Sequence, residues 1–100
     1  MDITLQYFEG CPNWKQTEAH LESLQAEGFE FRFRYQLIET PENAARFGFR
    51  GSPTVVIDGV DPFAEPDAPV GLSCRVYRTD DGSAGSPSLD QLRAAIGAAT

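Results

Sequence analysis

The sequence predicts an α/β domain with the order β-α-β-α-β-β-α and a mixed four-stranded sheet carrying helices on both faces. Three observations carry this reading. Apolar runs of strand length alternate with stretches whose apolar residues recur every three to four positions. Gly28, Gly48 and Gly59 close those segments in turn. The run Pro53-Thr54-Val55-Val56-Ile57-Asp58 is nearly all apolar and β-branched, as a strand covered on both faces must be. One hundred residues make a single domain, residues 1–100, with 41% hydrophobic residues and 11% aromatic ones, a globular composition.

Residues 3–8 form the first strand, with large groups on both parities, which places it centrally. A helix follows from about Pro12 to Glu27. Trp14, Thr17, Leu21 and Leu24 make its core-facing stripe, and proline suits a first helical position because it lacks only an N–H that would have no partner there. From Phe29 to Ile38 the chain alternates. Phe29, Phe31, Phe33, Tyr35 and Leu37 point inward, while Glu30, Arg32, Arg34 and Gln36 point to water, the signature of an edge strand. Thr40-Pro41-Glu42 starts a short helix to Phe47. The third strand enters at Pro53, and β-α-β connections of this kind make parallel pairs.

Residues 59–73 hold three prolines and no periodicity. A loop of that length in a small domain is uncommon and often functional. It reads as a proline-rich insertion. Cys74 to Thr79 form the fourth strand, and residues 80–87 are a turn region. Ser88-x-x-Gln91 is a capping box opening a last helix with Leu89, Leu92, Ala95 and Ile96 inward.

The chemistry concentrates where the first strand gives way to the first helix. Cys11 sits there, and the unpaired N–H groups and dipole of a helix start favour a thiolate. Glu9 opposes this by like charge and Lys15 supports it. With Gly10-Cys11-Pro12 at that junction and Gly51-Ser52-Pro53-Thr54 entering the third strand, the chain resembles the thioredoxin-like superfamily over nearly its whole length. The resemblance implies a three-layer fold with strand order 2-1-3-4, the last strand antiparallel. It also implies a cis Ser52–Pro53 bond packed against the nucleophile Cys11, and a strand edge there with which a peptide or glutathione can pair. The family's Cys-x-x-Cys motif is here Cys11-Pro12-Asn13-Trp14, which excludes dithiol cycling within the motif. The chain looks more like a small subfamily of bacterial thioredoxin-like proteins with Gly-Cys-Pro-x-Trp.

Two functions are consistent with these residues. One is a monothiol oxidoreductase, in which Cys11 attacks a disulfide or accepts glutathione and an external thiol resolves the adduct. The other is a redox-silent binding module for a protein partner or a soft metal ion. Pro12, Trp14, Arg50, Ser52 and Pro53 are the candidate substrate-binding residues. Arg50 is placed to reach a carboxylate or thiolate near Cys11, and Trp14 reads as a plug at the helix rim or a substrate platform. His20, Arg32 and Arg34 read as solvated.

Cys74 is a distant resolving thiol, a second metal ligand or a small buried hydrophobe. An antiparallel fourth strand would start about 15 Å from the Cys11 end, beyond the ~7 Å reach of a disulfide. The two thiols meet only if the loop folds back. Two cysteines lack zinc spacing, and no metal or cofactor is expected. A net charge of −7 argues against a nucleic-acid partner. No apolar run reaches the ~20 residues of a membrane span, and no signal segment is visible, so a cytoplasmic location is expected.

Overall fold

The computed structural model describes residues 1–65 and 67–99. The elements are β1 (Asp2–Tyr7), α1 (Trp14–Ala26), β2 (Arg32–Leu37), α2 (Pro41–Phe47), β3 (Thr54–Ile57), β4 (Tyr77–Thr79), β5 (Gly82–Ala84) and α3 (Leu89–Ala99). This is the thioredoxin-like order with one short strand added, in a three-layer arrangement. The strands form two sheets, β2-β1-β3 and β4-β5, where one four-stranded sheet was predicted.

β1 is central and β2 lies at an edge, paired in parallel from Asp2↔Arg32 to Tyr7↔Leu37. β3 runs antiparallel to β1, with Gln6 opposite Thr54 and Ile3 opposite Ile57. This corrects the parallel pairing expected from sequence. α2 has seven residues, about 10 Å of helix, too short to carry the chain back down a six-residue strand of about 20 Å. The chain therefore enters β3 at the end where β1 and β2 finish. That puts the Cys11 turn and Pro53 side by side.

The main core is Ile3, Leu5, Leu21, Leu24, Val55, Ile57, Leu92 and Ile96, so α1 and α3 cover one face of the sheet. Burial of each such side chain is worth roughly 1.5–3 kcal/mol. Ile38, Ala44 and Phe49 form a second cluster with Phe8 and Leu72, which seats α2. Thr40 Oγ1 accepts from Asn43 N at 3.1 Å and Gly48 closes α2 at φ 63°. The Ser88–Gln91 capping box is made in both directions.

Three local expectations are corrected. α1 begins at Trp14, and Pro12 lies in the preceding turn rather than at the first helical position. Tyr35 is 49% exposed because it lies over α1, where its hydroxyl donates to the Glu18 carboxylate. Burial and that negative neighbour hold its phenol protonated up to about 12, the hydrogen bond being the larger cause. His20 is half-buried and ties α1 to the start of α3, its Nδ1 lying 3.3 Å from Pro87 O. No described helix is long and apolar enough to cross a membrane.

Candidate functional site

From the end of β3 the chain climbs back along the sheet as a strap, described over residues 58–65 and 67–76. Asp58 accepts from Asp2 N at the lower end, and Val60 and Ile57 exchange backbone hydrogen bonds. Gly71 N donates to Phe49 O at the upper end. Fifteen residues of extended chain can span about 50 Å, so length is no obstacle to this return. The strap therefore delivers Cys74 to the Cys11 end, overturning the separation of about 15 Å expected from an antiparallel strand starting at Cys74. β4 itself begins only at Tyr77, after the junction is past.

Cys11 and Cys74 form a disulfide with a Cα–Cα distance of 5.6 Å. Both thiols are thus engaged with each other, and Cys74 is not the buried hydrophobe of the alternative reading. The two halves of the bond differ in surroundings. Cys11 is fully buried, whereas Cys74 is exposed. Cys11 sits in the turn after β1, its N–H bonded to Phe8 O at 3.0 Å. Its sulfur lies 3.6 Å from the Ser52 carbonyl oxygen and receives the Asn13 side-chain amide at 3.5 Å. Asn13 occupies the cap position of α1, yet its side chain makes no cap hydrogen bond and points at the sulfur instead. Gly85 makes room for it, since a Cβ there would come within 2.2 Å of Asn13 Nδ2.

The Ser52–Pro53 peptide bond is cis. Ser52 N donates to Ser73 O at 2.8 Å and Arg75 N donates to Ser52 O at 2.9 Å, a parallel bridge. The edge expected to receive a substrate peptide is therefore occupied by the chain's own Ser73-Cys74-Arg75. Gly51 permits this approach. It has φ 124°, and a Cβ on it would lie 2.9 Å from Arg75 Cβ. The Ser52 hydroxyl is buried with no hydrogen-bond partner among the described residues.

Two arginines organise the strap. Arg75 pairs with Asp61 at 2.7 Å, donates to Thr54 Oγ1 at 3.3 Å and to Phe63 O, and lies over the Tyr77 ring at 4.7 Å. Tyr77 donates its hydroxyl to Pro53 O, and burial pushes its pKa up. Arg50 donates to Ala68 O at 2.6 Å and Glu65 O at 3.3 Å. It thus binds loop carbonyls, and it helps line a groove of about 270 Å³ on which Cys74 opens.

The candidate binding residues fall into two places. Arg50, Ser52 and Pro53 surround the disulfide and the strap. Pro12 and Trp14 line a separate depression with Glu9 and Lys15. Trp14 is half-buried against the main core and stacks on Tyr7 with ring centroids 4.7 Å apart. Sequence reasoning missed Asn13, Gly51, Asp61 and Arg75. The one available signal was Asn13, a capping residue type directly after a Cys-Pro pair.

No group of His, Cys, Asp and Glu among the described residues could hold a metal ion. The chain matches no protein-family model, no curated protein and no solved structure. The molecule itself is a small α/β domain of thioredoxin-like element order whose cysteine pair is consistent with a thiol-redox role.

Proposed function

We propose that this chain is a thiol–disulfide oxidoreductase, a single thioredoxin-like domain whose redox couple is Cys11 with Cys74. The observation that carries this reading is the disulfide across the Ser52–Pro53 turn, one sulfur buried and its partner exposed. The superfamily reading gives β4 the fourth place beside β3 through the Ser52–Cys74 bridge, although that bridge is parallel where an antiparallel strand was implied. Cys74 then replaces the second thiol that Trp14 displaces from the motif. Cys11, three residues before α1, gains as a thiolate from the helix start and from the Asn13 amide. In a cytoplasm, where disulfides are transient and catalytic or sensing, the pair would cycle. Ser52, Pro53 and Arg50 hold the strap that carries Cys74. Pro12 and Trp14 shape the rim on the other side of the turn.

The test is a redox titration of the full chain against glutathione, followed by turnover of a small disulfide substrate. A potential near the cytosolic poise of about −220 to −300 mV together with turnover is expected. A potential well below about −300 mV with no turnover would mark a structural staple instead. The absence of a second thiol in Cys11-Pro12-Asn13-Trp14 favours a second reading, a monothiol cycle at Cys11. The variant Cys74→Ser isolates it. Undiminished glutathione-dependent turnover in that variant selects the monothiol cycle, and lost turnover selects the pair. Inertness of both thiols leaves a binding module.

A further inference from the structure

We propose that Cys74, not Cys11, is the sulfur that an incoming thiol attacks, and that the attacker is a low-molecular-weight thiol rather than a protein chain. This rests on the redox reading given above.

Three observations converge on the attacked sulfur and its partner. Thiolate attack on a disulfide needs access to one sulfur, approached from the side away from the leaving sulfur. Cys11 is fully buried and offers no approach, whereas Cys74 is exposed and opens on the groove beside Arg50 and Glu65. The leaving sulfur is then Cys11, which already receives the Asn13 amide at 3.5 Å and precedes the N-terminus of α1. A sulfur whose negative charge is stabilised leaves faster. Finally, the backbone N–H and C=O of Ser52 are both committed to Ser73 and Arg75. An extended protein substrate therefore cannot pair with Ser52, the residue before the cis-proline. What is left is a groove of about 270 Å³, at the lower end of the roughly 300–1,000 Å³ usual for small-molecule sites.

The step balances as follows. The thiolate RS⁻ forms a bond to Cys74 Sγ, the Cys11–Cys74 bond breaks, and its electron pair stays on Cys11 Sγ as a thiolate. A second RS⁻ attacks the outer sulfur of the mixed disulfide. RSSR departs and the electron pair falls on Cys74 Sγ. Two thiols are oxidised and the protein disulfide is reduced by two electrons. The reverse sequence oxidises the protein with a small disulfide.

The experiment mixes the oxidised full chain with reduced glutathione and quenches it rapidly in acid. The chain is then unfolded, its remaining thiol is alkylated at mildly acid pH, and the peptides are mapped by mass. Glutathione on Cys74 with the alkyl group on Cys11 is expected, in roughly tenfold or greater excess over the opposite pattern. The opposite pattern overturns the assignment of the attacked sulfur. In a parallel arm, a reduced, unfolded protein carrying one cysteine replaces glutathione. Per thiolate it should reduce the bond roughly tenfold more slowly, and an equal or faster rate overturns the assignment of the attacker. If neither glutathione nor dithiothreitol reduces the folded chain, the redox reading itself fails, a result distinct from an adduct on the wrong sulfur.

Discussion

The core beneath α1 and α3 and the strap are held together by different means. Beneath α1 and α3, eight buried aliphatic side chains from four elements interlock. Along the strap, Phe63 and Leu72 still pack on the apolar clusters, but polar and covalent contacts are added: the Arg75–Asp61 pair, arginine-to-carbonyl hydrogen bonds and the Cys11–Cys74 bond. Apolar burial is indifferent to redox state, whereas the strap carries the one bond that a thiol can cut. The comparison predicts that reduction acts on the strap and leaves the apolar core in place.

The sharpest way to break that comparison is to sever each side in turn. Cys74→Ser removes a crosslink spanning a sequence separation of 63 and should cost about 4 kcal/mol against the oxidised chain. Against the reduced chain it should cost almost nothing. Leu21→Ala, at a fully buried position, should cost about 3 kcal/mol with or without reductant. Urea unfolding of both variants in both redox states checks the pattern. A Leu21→Ala penalty that changed with reductant would mean that the two flanks are coupled.

Arg75→Ala comes next. It strands Asp61, whose side chain is 22% exposed, and should cost about 2 kcal/mol, less than a fully buried pair would. It should also loosen the strap and make the disulfide easier to reduce, by roughly 30 mV for each ~1.4 kcal/mol of lost positioning. An unchanged potential would show that the sulfurs are held by their own bond alone.

Thr17→Val probes the apolar flank in the opposite direction. Thr17 Oγ1 is buried with no hydrogen-bond partner among the described residues, so exchanging it for a methyl should raise stability by about 1 kcal/mol in urea melts.

The smallest effect concerns Tyr35, exposed beyond α1. Its folded pKa is raised from 10.0 to about 12, first by the hydrogen bond to Glu18. The favourable contribution is therefore fully present below pH 10.0 and fades as pH rises toward 12. Ultraviolet titration of the tyrosines in Glu18→Gln, with Tyr35→Phe identifying the band, should show this phenol ionising nearer its ordinary range.

Much of the apolar flank was legible in the sequence. The stripe Thr17, Leu21 and Leu24, the edge position of β2 and the Ser88–Gln91 box follow from local periodicity and capping chemistry, and they stand in the structure. The Cys11 turn was legible as a strand-to-helix junction, but its proximity to Pro53 came from the family resemblance alone, since a parallel β3 would have begun at the far end of the sheet. The direction of β3 was not, since it depends on how far the seven residues of α2 carry the chain rather than on any pattern within β3. The place of Cys74 was illegible for a related reason. Residues 59–73 have no periodicity, and their path is set by long-range contacts such as Arg75 to Asp61 and Gly71 to Phe49. The fourth strand was read over 74–79 and stands only at Tyr77–Thr79, while β5 escaped because the three residues after Asp80 and Asp81 carry too little alternation to read as a strand.

The span between the bonded cysteines also bears on biosynthesis. Translation runs from the amino terminus at about 5–20 residues per second. The cysteines are 63 positions apart, so Cys11 is made roughly 3–13 s ahead of Cys74 at that speed. During that interval the nascent chain carries one thiol and no mate, open to capping by whatever small disulfide the ribosome's surroundings contain. The Cys11–Cys74 bond therefore waits until residue 74 has been made and the strap has brought it back to the Cys11 turn.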